Sequence, residues 1–338
     1  MKAWILKEQA PIDESPLSLV ELPIPRPGKH EVRIQVSYCG ICRTDIHIAE
    51  GDLPLKKSPV VLGHEVVGVV DELGQEVTRF RVGERVGAYW LYSSCGHCKY
   101  CRSGQENYCP DFQATGWHAD GGFAEYMIAQ ERFTLSLESL RLDSSEVPPL
   151  LCPGIAGYAA LKLSEVRRGD ALGLYGFGPT AYFVLKVAQS FGIETYVSTR
   201  SPRNIERAIR AGAVWTARSP EAEVPRKLDA AILFPPAGNL VETILAQLDR
   251  GGILVMAPVS SSPIAIEHYS ENLWGRTIKT LYQLRRSDAE EFIEMANHLD
   301  LHLGVSLFQF EELDEAVSYT HLRAHETSLH LVCRLLLE

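Results

Sequence analysis

From residue 171 to 259 apolar strand-like and helical stretches alternate without a break: ALGLY, PTAYFVLKVAQSFG, IETYVST, PRNIERAIRAG, DAAILFP, NLVETILAQLDRGG and ILVMAPV. A strand that returns to its sheet through a helix pairs in parallel, so this run predicts a parallel sheet covered by helices on both faces. The first 150 residues have another texture. Short strands such as EVRIQVSY, HEVVGVVDELG and FAEYMIA are punctuated by Gly and Pro, with little at helical period. PIPRPG at 23–28 and VPPLLCPG at 147–154 read as turns, the second marking the change of texture. After about residue 285 a helical DAEEFIEMANHL and a strand-like VSLFQF lead into the closing segment. A length of 338 residues suits two domains of about 150 each.

Cysteine placement adds chemistry to this frame. Four of the eight cysteines, Cys95, Cys98, Cys101 and Cys109, fall in C-x2-C-x2-C-x7-C. Four soft thiolates in one short loop suit tetrahedral zinc, with no coordination position left open, so the site is expected to be structural. An iron–sulfur cluster on the same cysteines is the rival reading. Gly96 and Gly104 give the loop freedom to close. Eight cysteines so clustered do not make a disulfide scaffold, and metal binding or catalysis are the competing uses. No apolar run approaches the roughly 18 residues of a membrane span, and the start turns acidic before any secretory core forms. A cytoplasmic protein is expected. A net charge of -10 argues against tracking a phosphate backbone. The expected partner is a small molecule, without nucleic acid or membrane.

Three further segments, CGICRTDIH at 39–47, GHE at 63–65 and LLCPG at 150–154, are weak singly. In this order around the four-cysteine loop they resemble the zinc-dependent alcohol dehydrogenases of the medium-chain dehydrogenase/reductase superfamily, over nearly the whole chain to about residue 317. The resemblance implies an α/β architecture. A β-rich GroES-like catalytic domain is expected from residues 1–150 and 285–338, and a Rossmann domain from 151–284. It further implies a catalytic zinc held by Cys42, His64 and Cys152, with Glu65 as an occasional ligand or a buried carboxylate behind the metal. Two thiolates and an imidazole leave a fourth position open for water or substrate. Cys39 is read as packing. Asp45 matches the carboxylate that orients His64. Thr44 and His47 match a proton relay running from hydroxyl through cofactor ribose to surface imidazole, and imidazole is the side chain suited to proton exchange near neutrality. Leu53 and Trp90 match positions lining the substrate channel for small primary alcohols. Ala156 stands where some members carry Thr. Arg43 resembles a contact to the cofactor phosphate, and a homodimer or homotetramer is implied.

The strand ALGLY runs into Gly176-Phe177-Gly178-Pro179-Thr180-Ala181, a G-x-G-x-x-A turn in the strand-to-helix context that dinucleotide binding requires. The next strand ends in Ser198, Thr199, Arg200, Ser201 and Arg203, with no acid before Glu206. A carboxylate there would hold the ribose of NAD, whereas arginine accommodates the 2′-phosphate. NADP(H) is therefore expected over NAD, read by Thr199, Arg200 and Arg203. The expected activity is hydride transfer between a small or primary alcohol, or its aldehyde, and a nicotinamide, with two zinc ions per chain. A zinc-free quinone or enoyl reductase, and a non-catalytic zinc protein, are the alternatives. AVSYTHLRAHETSLHLVCRLLLE lacks the family's usual closing run and reads as a foreign tail, although HLVCRLLLE has the pattern of a strand.

Overall fold

The computed structural model describes residues 1–323 and 330–334. The chain divides into two compact units, one of residues 1–155, 283–297 and 302–338, the other of 156–282 and 298–301. The first break falls a few residues beyond the 150/151 boundary read from the sequence. Cys152 thereby stays in the unit that holds Cys42 and His64.

The first unit is built on a seven-stranded sheet around the long strand Glu31–Ile41. Val32, Ile34 and Val36 are buried in it while Glu31, Arg33 and Gln35 are partly exposed, the period-two pattern of a strand with one face on the core. It pairs antiparallel with Glu65–Leu73 and with Tyr126–Gln130, and Arg85–Ala88 and Leu135–Ser136 extend the sheet beyond Glu65–Leu73. Register here decides function. Gly40 lies opposite Glu65, so the strand end that delivers Cys42 meets the strand start that follows His64. A Cβ on Gly40 would sit 2.0 Å from Glu65 Oε2, so only glycine lets the carboxylate lie across the strand. The turn Leu150–Gly154, which carries Cys152, packs against the strand Glu65–Leu73 and against helix Arg286–Ala296.

On the other side of Glu31–Ile41 the strand His330–Arg334 is inserted, antiparallel to it and parallel to Val305–Gln309, with Val332 buried. Part of the segment read as a foreign tail is thus an interior strand of the sheet. Residues 316–323 of that segment continue the helix Leu313–Arg323, and 324–329 and 335–338 lie outside the described residues.

The second unit holds six strands in the order Trp215–Ala217, Glu194–Ser198, Ala171–Tyr175, Leu228–Leu233, Leu248–Met256, Thr277–Thr280, all paired in parallel. This is the doubly wound order that reverses between the first and fourth strands in sequence, where such folds bind nucleotides. Its core includes Tyr175, Leu233 and Leu254, and Val241, Ile244 and Leu245 of the helix Val241–Gln247 pack onto them. Among the described residues no helix is long and apolar enough to cross a membrane.

Candidate active site and metal centres

Cys42 caps the helix Arg43–Glu50, and its own N–H donates to Asp45 Oδ2 at 2.8 Å. The other oxygen of Asp45 accepts from Gly63 N–H at 3.2 Å and lies 3.1 Å from His64 Nδ1. A carboxylate only accepts, so Nδ1 carries the proton and Nε2 presents its lone pair. That Nε2 is buried and, among the described residues, has no hydrogen-bond partner. An orphaned buried imidazole lone pair is costly unless something binds it. Cys42 Sγ and Cys152 Sγ are 3.9 Å apart, and donor atoms of Cys42, His64, Glu65 and Cys152 all lie within 4.8 Å of one another. Tetrahedral zinc with 2.3 Å Zn–S bonds separates its sulfurs by about 3.8 Å, so the residues fit the ion.

The electrostatics agree with a cation site. A hydrogen bond from Cys152, assisted by His64, holds the Cys42 thiol well below its ordinary pKa despite burial, and the same bond together with burial pushes Cys152 up. Burial lowers His64, but Asp45 outweighs it and the imidazole is raised. Burial, reinforced by the charges of Cys42 and Asp45, pushes the Glu65 carboxyl well above its ordinary value. The surroundings thus favour negative charge on Cys42 and protons on His64, Cys152 and Glu65, and a divalent cation bound there would compete with those protons. Cys39 is fully buried, and a Cβ on Gly63 would come within 2.7 Å of its sulfur, a packing position beside the centre. Asp45→Asn is expected to weaken zinc retention by about 10- to 100-fold with the fold intact; titration with a competing chelator measures it, and unchanged retention would deny Asp45 its orienting part.

The Thr44 hydroxyl lies 3.6 Å from Cys42 Sγ. His47, one turn along the same helix, pairs through Nδ1 with Asp52 at 2.7 Å, a partner the sequence reading did not include. Trp90 is nearly buried, its ring edge-on to His64 at 5.1 Å, and Trp117 stacks on it at 5.9 Å. Trp117 Nε1–H donates to the Pro54 carbonyl at 3.0 Å, placing the half-buried Leu53 and its loop beside the pair of indoles. Trp117 was missed because GWHADGG reads as an ordinary turn; nothing in its spacing points to His64.

In the four-cysteine loop Cys98 caps the helix Lys99–Arg102, and the sulfurs are 3.5 Å (Cys98–Cys101) and 3.9 Å (Cys95–Cys101) apart. Backbone N–H groups of Cys98, Cys101 and Cys95 point at the sulfurs of Cys95, Cys98 and Cys109 at 3.4–3.5 Å. The N–H groups of His97 and Cys98 hold Cys95 down at about 6, whereas burial lifts Cys109 to about 12. All four sulfurs lie within 4.8 Å of one another, which suits a single ion; a cluster would interpose several iron and sulfide atoms and spread them. Gly96 and Gly104 have φ of +76° and +69°, conformations that let the loop turn around the thiols.

In the second unit Gly176 takes φ +88° at the end of its strand, and Gly178 caps the twelve-residue helix Pro179–Ser190 with open space where a Cβ would stand. A cavity of about 150 Å3 adjoins this helix N-terminus, lined by Ala156, Gly178, Pro179, Thr180, Phe234 and Leu281 among others. Positive φ, a bare glycine and a helix dipole together make a cradle for a pyrophosphate. Thr199 is nearly buried and Arg200 and Arg203 are exposed, while Ser201 is engaged as a helix cap to Asn204 N–H. Arg207, one turn beyond Arg203, is half-buried, and burial followed by the charges of Arg203 and Arg210 lowers its pKa. This third guanidinium escaped the sequence reading because it lies past the strand end where such contacts are sought. Arg43 is exposed at the first position of its helix in the other unit.

Residues 28–139 match the family described as "Alcohol dehydrogenase GroES-like domain". The chain is similar to a probable alcohol dehydrogenase, AdhA, of Mycobacterium tuberculosis, with 42% identity covering 94% of this chain and 93% of that protein. An alcohol dehydrogenase of Geobacillus stearothermophilus is 32% identical over 93% and 94% of the two chains. Among solved structures, a cinnamyl alcohol dehydrogenase of Sorghum bicolor superposes with a TM-score of 0.87 at 27% identity, covering 98% of this chain and 97% of that one.

Proposed function

Because the chain belongs to the zinc-dependent alcohol dehydrogenase family of the medium-chain dehydrogenase/reductase superfamily, and is an oxidoreductase acting on alcohols, we propose that Cys42, His64 and Cys152 are its catalytic zinc ligands. The observation that carries this is the buried, unpartnered His64 Nε2 facing two thiols 3.9 Å apart. Zinc held there supplies Lewis acidity that acidifies an alcohol hydroxyl, and in the reverse direction polarises a carbonyl. Asp45 holds the imidazole in the ligating tautomer. Thr44, beside Cys42, would accept the hydroxyl proton while giving up its own, and His47, paired with Asp52, would be the group that exchanges it with solvent. The Trp90–Trp117 stack, with Leu53, walls the substrate side and excludes water, which favours a small or primary alcohol.

Cys95, Cys98, Cys101 and Cys109 hold a second, structural zinc. The Gly176–Gly178 turn cradles the pyrophosphate. Thr199, Arg200 and Arg203, reinforced by Arg207, read the 2′-phosphate of NADP(H). Metal analysis together with initial rates for a panel of alcohols tests the whole reading. About two zinc ions per chain and coenzyme-dependent oxidation are expected. A pure chain with both ions in place but inert toward every alcohol in the panel would overturn it.

A further inference from the structure

Gln283 has a conformation that its residue type does not favour. Its φ is +54°, in the left-handed region that costs a residue with a Cβ about 1 kcal/mol or more. Such a conformation persists only where surrounding contacts over-determine it. One contact is at the side chain: Gln283 Oε1 accepts from Trp90 Nε1–H, the indole that stands edge-on to His64. An indole N–H only donates, so the facing amide atom is the oxygen. The other contact is three residues on. Arg286 begins the helix Arg286–Ala296 and its Nε meets Glu106 Oε1 at 3.4 Å, while its Nη1 holds Glu290 at 2.9 Å. Glu106 is fully buried, lies three residues before Cys109 and also receives Arg132 at 3.4 Å. A carboxylate this buried is costly without a counter-charge, which holds Arg286 and Arg132 against it.

We infer that Gln283 is a positioning residue that sets substrate specificity by holding Trp90 against His64, and that the Glu106–Arg286 pair anchors it to the four-cysteine loop. The inference rests on the reading of Trp90 as a wall of the substrate site. With the indole N–H tied back, the ring cannot swing and the space beside His64 stays narrow. Released, the ring gains freedom and bulkier alcohols fit.

The test uses the zinc-loaded enzyme with Gln283→Leu, Gln283→Glu, Trp90→Phe and the double variant Gln283→Leu/Trp90→Phe. Gln283→Leu is expected to raise the ratio of kcat/KM for benzyl alcohol over ethanol by about tenfold, chiefly through KM. Gln283→Glu keeps an acceptor for the indole and is expected to stay near the parent. Trp90→Phe lacks the N–H, so adding Gln283→Leu to it is expected to change the ratio no further, the non-additivity of two residues acting as one. In 15N-tryptophan-labelled protein, one of five indole signals, identified by its absence in Trp90→Phe, is expected to shift in Gln283→Leu and not in Gln283→Glu. An unmoved Trp90 signal, or an unchanged ratio with a shifted signal, would overturn the inference. A parent enzyme inert toward both alcohols would fault the reading of the reaction instead, while the indole signal still reports the contact.

Discussion

Cys42→Ser is expected to abolish turnover while leaving a folded chain, whereas Cys98→Ser is expected to cost stability first. Both remove one thiolate, but the two sites sit differently in the fold. Cys42 directly follows a strand anchored by backbone pairing in the first unit's main sheet, and Asp45 and Gly63 hold its surroundings by hydrogen bonds. Losing its sulfur leaves that framework standing and removes the Lewis acid, worth several kcal/mol of barrier or about three to four orders of magnitude in kcat/KM. The four-cysteine loop has only short elements of its own, Lys99–Arg102 and Glu106–Tyr108, and its N–H groups point at the sulfurs. Metal binding there is folding energy. A loss of about 3–5 kcal/mol corresponds to a fall in Tm of about 10 °C for a unit of this size. Melting curves and zinc content for each variant decide it, and equal losses of Tm in both would sink the division of labour.

Coenzyme choice is expected to respond almost as strongly. Charge-assisted contacts from guanidinium to phosphate are worth about 1.5–3 kcal/mol each, so Arg200→Ala/Arg203→Ala should lower kcat/KM for NADP+ by about 100-fold or more. NAD+ has no group for them to hold, and its efficiency should move by no more than about threefold. Both arginines are exposed, so the preference for NADP+ should also shrink as salt is added. Thr199 is nearly buried and Arg207 half-buried, which keeps some phosphate affinity in the double variant. A higher efficiency with NAD+ in the parent, untouched by Arg200→Ala, would show that the missing carboxylate after the second strand has been misread.

Much of this protein was legible in its sequence because the signals are local. Alternation of strand and helix from 171 to 259 dictates a parallel sheet, since no other pairing lets each helix cover it. Four cysteines within 15 residues, with glycines where the loop must turn, determine a closed sulfur site, because chain length alone brings the thiols together. The glycine turn after ALGLY is equally local, resting on backbone freedom that only glycine has at φ +88°. Cys42, His64 and Cys152 are far apart in the chain and were legible only through their order around the loop.

Tertiary structure alone decided how they meet. The pairing of Gly40 with Glu65 brings Cys42 to His64, and a slip of one residue would turn those side chains to the other face. It also decided what surrounds them. Trp117, Asp52 and Gln283 carry no mark in the sequence, because an aromatic wall, an exposed carboxylate partner and a strained anchor are defined by what packs against them. The same holds for the strand His330–Arg334. Its letters suit a strand or a stray tail alike, and only the two neighbours that accept its backbone give it a place. Local chemistry, then, is written residue by residue. Juxtaposition across the sheet is a product of register and packing, which no single segment contains.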